Sequence, residues 1–404
     1  MKVLVVNCGS SSIKYCLFES ENEKLLARGR VERIGENRPQ FEHLAGDIKT
    51  EGEAEAPDHE AALRKMVELL MKPEHGVIAS PAEIEAVGHR VVHGGESFVE
   101  SVLITSEVKA EIEKNFPLAP LHNPPNLAGI QAAESVFPAV PHVAVFDTAF
   151  HQGMPPRAYL YALPYELYAE HGVRRYGFHG TSHYYVSERA ARMLDIPYKQ
   201  FRAVTCHLGN GCSMAAVKGG RSIDTTMGLT PLEGLAMGTR SGDLDPAIVL
   251  YLQRRLGMSA EQVDRILNKE SGLLGLSGLS NDMRTIDEAV NDGHKRARLA
   301  HAVFAYRIRK YLGAFLAVLN GADAVVFTGG IGENDAELRK EALEDMEALG
   351  IRLDSAANRR TQGCEAVISD PASPIRVLVV PTNEEIVIAR DTVRIARQSP
   401  SQVT

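Results

Sequence analysis

Two segments of this sequence carry residues suited to holding phosphate groups. Residues 3–15 and 203–217 each read as a β-branched strand, a turn of Gly, Ser and Asn, and a second strand. Glycine lets the backbone approach a ligand closely, and consecutive N–H groups of such a turn form a concave site for an anion. Because the chain has no G-x-x-x-x-G-K-[ST] motif, the repeated pattern predicts phosphoryl transfer without a Walker loop.

A third glycine-rich turn, at residues 327–334, follows a predicted strand and precedes a helix predicted from about residue 335. Bare backbone at the N-terminus of a helix suits a nucleotide, because the helix dipole favours negative charge there. Taken alone, the turn is equally consistent with a tight strand-to-helix connection. The two phosphate-type turns favour the nucleotide interpretation.

Two arginines and two acidic segments accompany these turns. Arg90 ends a predicted strand before two glycines, and Arg240 lies in an irregular glycine-rich loop. A pair of arginines can clamp phosphoryl oxygens in a bidentate manner, although an ordinary surface position remains the alternative for Arg90. Asp147 follows a predicted strand, and Glu384 and Glu385 begin the last predicted helix. Carboxylates at such ends hold Mg²⁺, while helix-dipole placement is the alternative for the glutamates.

His179 and His183 are spaced four residues apart, which raises the question of a zinc site. The segment lacks the Glu of H-E-x-x-H, and Gly180 weakens the local helix. We therefore favour His179 as a donor to phosphoryl charge and His183 as a packed helix residue. Ser182 and Ser213 have no acid and base partners at a known spacing, so a hydrolase triad is not predicted.

The elements that must position these residues alternate between strands and helices, which favours an α/β fold. The first 50 or so residues read as a β-meander, and the pattern restarts after a candidate hinge at residues 153–156. The other strands are predicted at 85–92, 143–146, 324–327 and 377–380, and the main helices at 58–71, 182–194, 296–319 and 384–397.

Composition limits the classes of function. The chain has 404 residues, enough for two domains, and a formal net charge of −8 that argues against nucleic-acid binding. Its five cysteines include no C-x-x-C pair, an odd count that fits a reduced compartment. No apolar run approaches the roughly 20 residues that span a bilayer, and no N-terminal signal is visible. We expect a cytoplasmic protein that binds neither nucleic acid nor membrane.

Taken together, these motifs closely resemble the acetate kinase family from residue 3 to about 395. The resemblance rests on segments that are individually weak and jointly specific. They are residues 7–14, 88–95, 146–151, 175–183, 207–211, 329–334 and 381–385, and the loop around Arg240.

The resemblance implies the acetate and sugar kinase/actin superfamily fold, with two duplicated ribonuclease H-like domains and a cleft between them that closes. We expect one domain at residues 1–150 plus about 385–404, and a second, nucleotide-binding domain at 151–384. The resemblance also implies a homodimer.

The resemblance further implies a role for each matching residue. Asn7 and Glu384 would organise Mg²⁺, with Mn²⁺ as an alternative, and ATP or ADP would be the co-substrate. The reacting centre would hold Arg90, Arg240, His179 and Asp147, the last orienting Arg240 or a metal-bound water. Phosphates and adenosine would be bound by Lys14, His207, Leu208, Gly209, Asn210, Gly211, Asp282, Met283, Arg284, Gly330, Ile331, Gly332, Glu333 and Asn334. The methyl group of acetate would lie among Val92, Leu121, Phe178 and Pro231, with His122 beside them.

The predicted reaction is reversible, direct in-line transfer from Mg-ATP to acetate, giving acetyl phosphate. A carboxylate is ionised at neutral pH, so no general base is needed. Propionate kinase, which differs mainly in pocket width, is the nearest alternative. A sugar kinase is disfavoured because its hydroxyl nucleophile would favour a carboxylate base. An actin-like ATPase module is disfavoured by the arginines. A non-catalytic carboxylate-binding regulator is disfavoured because both phosphate turns and the candidate metal ligands are present.

Overall fold

The structure is a computed structural model, and it describes residues 1–74 and 76–398. The chain divides into two compact units, one of residues Met1–Ala149 with the chain from Asn383, the other of Phe150–Thr382. The part of the predicted first domain beyond residue 398 lies outside the described residues. Among those described, no helix is both long and apolar enough to cross a membrane.

The strands form two sheets, one in each unit. The first sheet contains β1 (Lys2–Cys8), β2 (Ser12–Glu19), β3 (Lys24–Glu32), β4 (Gln40–Ala45), β5 (Ile48–Glu53), β6 (Ile84–Val91), β7 (Val102–Leu103) and β8 (His142–Phe146). The second contains β9 (Arg202–Leu208), β10 (Cys212–Lys218), β11 (Arg221–Thr225), β12 (Ala324–Thr328), β13 (Ala366–Val367) and β14 (Arg376–Val379).

The described chain also contains the following helices, given in chain order. They are α1 (His59–Met71), α2 (Ser106–Lys114), α3 (Asn123–Val136), α4 (Pro156–Tyr159), α5 (Tyr165–His171), α6 (Gly180–Met193), α7 (Ala247–Leu256), α8 (Ala260–Lys269), α9 (Gly272–Ser277), α10 (Met283–Asn291), α11 (Lys295–Leu319), α12 (Gly329–Asn334), α13 (Ala336–Leu343), α14 (Ser355–Arg360) and α15 (Glu384–Gln398). Short 3₁₀ turns lie at Pro81–Glu83, Phe116–Leu118, Ala149–Gly153 and Glu347–Leu349.

The two sheets repeat one topology, which confirms the predicted duplicated α/β fold. Their orders are β5-β4-β3-β2-β1-β6-β8-β7 and β11-β10-β9-β12-β14-β13. In each core, the first strand pairs antiparallel with the second and parallel with a later strand. β1 and β9 even share one burial pattern along their seven residues. The carboxyl ends of the parallel strands therefore gather at one edge of each sheet, where ligands bind in open α/β sheets.

The predicted β-meander and the main predicted helices are confirmed, with ends within two residues. The turn at residues 329–334 differs from the prediction of a helix starting near residue 335. Helix α12 begins directly at Gly329, and Asp335 then caps the separate helix α13. Gly329 has a φ of +76°, and a Cβ atom there would lie 2.7 Å from the carbonyl oxygen of Leu208. Glycine at position 329 therefore allows the end of β12 to lie close to β9 at the residue where the helix begins.

Helix α15 packs directly on β6, and a glycine permits this contact. A Cβ atom at Gly88 would lie 2.3 Å from Thr392 Oγ1 and 2.8 Å from Ile388 Cγ2. The Thr392 hydroxyl already donates a hydrogen bond to the carbonyl of Ile388 at 2.7 Å. A Cβ atom at this position would have to displace the Thr392 hydroxyl from that hydrogen bond or push α15 away, so glycine at position 88 permits the close approach of α15 to β6.

We expect Gly88→Ala to lower the free energy of unfolding by about 1–3 kcal/mol, as in other overpacked interiors. Calorimetric melting of the full chain measures this effect. Gly313→Ala is the matched control, because a Cβ atom at Gly313 in α11 meets nothing within 4 Å. It should raise stability by up to about 1 kcal/mol through helix propensity. Equal melting temperatures for the two variants would contradict this account of the α15 contact.

Candidate active site

In the first unit, Arg90 and Asp147 form a bidentate ion pair. They lie near the ends of β6 and β8, which pair in parallel with Val91 beside Phe146. Arg90 Nε donates to Asp147 Oδ1 at 2.9 Å, and Nη2 donates to Oδ2 at 2.6 Å. The Asp147 side chain is 2% exposed and that of Arg90 is 23% exposed. Burial acts to lower the pKa of Arg90, but the facing carboxylates of Asp147 and Glu384 outweigh it and raise that pKa.

From the sequence, Asp147 is expected to orient Arg240 or a metal-bound water. In the structure, both of its carboxylate oxygens accept hydrogen bonds from Arg90. The reason is the parallel register of β6 and β8, in which Arg90 pairs with Val145, two residues before Asp147. Asp147 therefore fixes the orientation of one guanidinium face.

Glu384 and Asn7 lie near the same sheet edge. Glu384 begins α15, and its Oε2 is 3.9 Å from Arg90 Nε. Burial raises the pKa of Glu384 to about 7, with Arg90 opposing the shift. Asn7 sits next to the end of β1, where its β2 partner is the exposed Lys14. These five predicted residues thus share one edge of the first sheet.

Of the residues predicted around the methyl group, Val92, Leu121 and His122 belong to the first unit. Val92 is buried, Leu121 is 62% exposed and His122 directly precedes α3. Sequence reasoning missed Asn126, whose Oδ1 accepts a hydrogen bond from Val92 N at 3.0 Å while its Nδ2 donates to the carbonyl of Cys8 at 2.7 Å. This one side chain holds the ends of β1 and β6 in fixed relation.

In the second unit, His179 and Arg240 converge on the turn between β9 and β10. A Cβ atom at Gly211 would lie 3.3 Å from Arg240 Nη1 and 3.6 Å from His179 Nε2. His179 precedes α6 with a φ of +56°, an uncommon conformation for a residue other than glycine. Its ring stacks on that of His207 at 4.3 Å between centroids. A cation, an imidazole and a bare turn therefore meet at one point, as an anion site requires.

His179 belongs to a chain of polar contacts. His183 Nδ1 lies 2.7 Å from Thr205 Oγ1, and His183 Nε2 lies 2.8 Å from Ser213 Oγ. The same Ser213 oxygen lies 2.8 Å from His179 Nδ1. Ser213 therefore connects His179 to the buried His183 and holds the His179 ring with its Nε2 beside Gly211. An imidazole nitrogen that carries a hydrogen there can donate to a phosphoryl oxygen.

His183 is engaged within the protein. Both of its ring nitrogens lie within hydrogen-bonding distance of hydroxyl groups, and burial lowers its pKa well below the usual value. His183 is the packed helix residue that was predicted, and Ser213 connects it to His179.

Arg240 differs from Arg90 in the partners of its guanidinium. Its Nη1 donates to the carbonyl of Pro231 at 3.2 Å and contacts Met237 Sδ at 3.7 Å. No carboxylate forms an ion pair with it among the described residues. Burial lowers the pKa of Arg240, because the charged form loses hydration without gaining a counterion. An anionic ligand would supply that missing charge.

Phe178, also predicted near the methyl group, is 1% exposed.

A cavity of about 1420 Å³ adjoins the turn in the second unit. Many of the residues predicted to bind nucleotide line it, namely Gly209, Asn210, Asp282, Met283, Arg284, Gly330, Ile331 and Asn334. His207, Leu208, Gly211, Gly332 and Glu333 are not part of its lining. Asp282 caps α10 and pairs with the exposed Arg284 at 2.6 Å.

Glu333 holds protein backbone. Its Oε1 accepts hydrogen bonds from Gly329 N at 2.8 Å, Thr382 N at 3.1 Å and Thr328 Oγ1 at 3.3 Å. One carboxylate oxygen thus joins the end of β12 to the segment after β14. The family resemblance implies a ligand contact for Glu333. The positions of Glu333 and Thr382 in the sequence give no sign that the Glu333 carboxylate instead binds the backbone at Thr382.

The repeated sheet topology, the glycine-rich turns and the adjoining cavity agree with the duplicated α/β fold expected from the family resemblance. The chain belongs to the acetokinase family, whose model matches residues 2–390. It is 54% identical to the acetate kinase of Halothermothrix orenii over 397 residues, which cover 98% of this chain and 99% of that one.

Solved structures support the same assignment. The crystal structure of Porphyromonas gingivalis acetate kinase superimposes with a TM-score of 0.94 at 49% identity, covering 98% of this chain and 99% of the other. A propionate kinase from Francisella tularensis gives a TM-score of 0.91 at 42% identity with the same coverage. The predicted family and its kinase activity are confirmed, and ATP or ADP is the co-substrate.

We expect Asp147→Asn to reduce kcat by about 10²–10³, since an amide cannot accept both guanidinium hydrogen bonds and misplaced charge stabilisation has effects of this size. Steady-state kinetics with a circular dichroism check of folding measure the effect. Glu365→Gln is the control, because it breaks another two-point arginine pair, with Arg189 on the surface. If the two variants lost activity equally, Asp147 would have no special role in positioning Arg90.

Proposed function

We propose that the chain catalyses the reversible transfer of the γ-phosphoryl group of ATP to acetate, giving ADP and acetyl phosphate. The observation that carries the proposal is the convergence of Arg240 and His179 on Gly211, while no carboxylate in the described part of the chain pairs with Arg240. Such a site attracts an anion that arrives with the substrates. The metaphosphate-like transition state of phosphoryl transfer spreads negative charge over its oxygens and is stabilised by fixed donors of this kind.

The nucleophile explains why the site is rich in arginine. Acetate is already ionised at neutral pH, so the protein has no proton to remove before attack. Its work is to hold two anions near one another, and Arg90 and Arg240 are assigned to the carboxylate and phosphoryl oxygens. Asp147 keeps the Arg90 guanidinium in one orientation and consequently lowers the entropy lost when the carboxylate binds.

We assign the divalent metal of the reaction to Asn7 and Glu384, with Mg²⁺ as the ion and Mn²⁺ as an alternative. The residues fit this role: an amide and a buried carboxylate supply hard oxygen donors, and Mg²⁺ usually takes one or two carboxylates together with phosphate oxygens. Burial raises the pKa of Glu384, with Arg90 opposing the shift and Asp147 adding to it, so a cation bound at this carboxylate would favour its ionised form. When bound, the ion would neutralise phosphate charge, while the chain's own residues orient the two substrates.

Propionate is the nearest alternative substrate. The propionate kinase named above shares 42% identity and the same fold with this chain. One methylene in an apolar pocket changes selectivity by only about 1–3 kcal/mol. Acetate is favoured by the 54% identity to acetate kinases over nearly the whole chain, and activity on propionate is expected as a side reaction.

The test is a hydroxamate-trapping assay for acyl phosphate with Mg-ATP and acetate, propionate or butyrate. We expect the highest kcat/KM for acetate and a fall of at least about 100-fold in kcat for Arg240→Ala. Arg296→Ala is the control, since its guanidinium likewise donates to backbone carbonyls without a carboxylate partner in the described residues. ATP hydrolysis without acyl phosphate from any acid would refute the proposal, and near-normal kcat in Arg240→Ala would refute the role of that arginine.

We also propose that the enzyme works as a homodimer in the cytoplasm. The family resemblance implies the dimer, and α7 supports it because Ile248, Leu250, Tyr251 and Leu256 are each at least 44% exposed. Apolar side chains gathered on one short helix are typical of a protein interface. Sedimentation equilibrium should give twice the 44.0 kDa chain mass. A monomer at micromolar concentration would contradict the proposal.

A further inference from the structure

Three side chains of the second unit form a cluster that the proposed reaction does not use. Asp287 on α10, His301 on α11 and Asp335 before α13 each point one ligand atom to a common point, and these atoms all lie within 4.8 Å of one another. His301 Nε2 is 3.7 Å from Asp287 Oδ1 and 4.0 Å from Asp335 Oδ2. All three line the cavity described above.

A fourth side chain beside this cluster, Glu341, fixes the orientation of the His301 imidazole. Its Oε2 is 2.7 Å from His301 Nδ1, and a carboxylate oxygen can only accept, so Nδ1 carries a hydrogen. In the neutral ring, the lone pair is then on Nε2, which faces Asp287 and Asp335. Histidines that bind metal are commonly oriented in this way by a carboxylate on the other ring nitrogen.

Asp335 supplies an independent indication that a cation can bind at this cluster. Its Oδ1 accepts a hydrogen bond from Leu338 N at 2.9 Å and so caps α13. Its Oδ2 is fully shielded from solvent and has no hydrogen-bond partner in the described structure. The side chain as a whole is 10% exposed. An unsatisfied carboxylate oxygen at this depth is costly unless positive charge reaches it.

The arginine one turn along α13 is engaged elsewhere. The guanidinium of Arg339 donates to the carbonyls of Gly332, Asn358 and Thr361 and to the side chain of Asn358. Asp287 likewise has no lysine or arginine partner among the described residues.

We propose that Asp287, His301 and Asp335 bind a divalent first-row transition metal ion, distinct from the metal assigned to Asn7 and Glu384. One imidazole and two carboxylates suit such ions better than Mg²⁺ or Ca²⁺, which prefer oxygen ligands alone. Bonds of about 2.1 Å would set the ligand atoms of a tetrahedral ion about 3.4 Å apart, so the three side chains need only small rotations. The remaining coordination positions would face the cavity.

The test uses the full-length, metal-free chain without nucleotide and Co²⁺ as the probe. We expect one Co²⁺ to bind per chain with intense visible absorption, and calorimetry to show that Zn²⁺ displaces it. His301→Gln should abolish this signal. Asp287→Asn, at a side chain 39% exposed and thus harmless to folding, should weaken Co²⁺ binding at least 10-fold. Glu341→Gln, which keeps an oxygen for Nδ1–H, should weaken it by less.

Two control variants identify the location of the bound ion. Glu384→Gln alters the metal site of the proposed reaction, and His171→Gln removes a histidine that is exposed on α5; neither should change the Co²⁺ spectrum. If His301→Gln bound Co²⁺ like the unmodified chain, or if the unmodified chain gave no such signal, the proposal would be wrong. In that case His301 and the carboxylates form only an ion-pair network. Kinase activity is not part of this test, so its outcome is independent of the proposed function.

Discussion

The structure depends on keeping guanidinium groups charged where water is scarce. Arg90 meets this constraint with a bidentate carboxylate partner, Asp147, that is itself almost completely buried. Arg240 meets it with backbone and sulfur contacts alone and is left without a counterion among the described residues. A desolvated cation without a partner is costly on its own. The free energy of anion binding can offset that cost, and this is the physical basis for proposing Arg240 as a binding group.

The sheets explain why such groups can be gathered at all. Each unit repeats one order of antiparallel and parallel strands, so successive strand ends meet at a single edge. Arg90 and Asp147 are 57 residues apart in sequence but are neighbours through the β6 and β8 register. Glycine residues leave the space that these close contacts require. Gly88 admits α15 to the first sheet, and Gly211 leaves room for His179 and Arg240 beside the turn of the second.

Supporting side chains were the part of the site that sequence reasoning did not find. Asn126 holds two strand ends together, and Ser213 connects His179 to His183. Each of these reads in the sequence as an ordinary polar residue of a helix or strand. Their function comes from partners between 30 and 118 residues away, and no local pattern encodes a contact of that length.

The sequence by itself determined the α/β class, the twice-written strand and turn, the main helices and the family, because hydrophobic period, turn chemistry and motif residues are local properties. Only the tertiary structure decided that Asp147 orients Arg90, that Glu333 holds backbone at Gly329 and Thr382, and that Asp287, His301 and Asp335 lie together. Each of these depends on which strand ends and helix ends become neighbours. A side chain's partner is set by the register and packing of whole elements, so the residue type and its spacing along the chain leave it open.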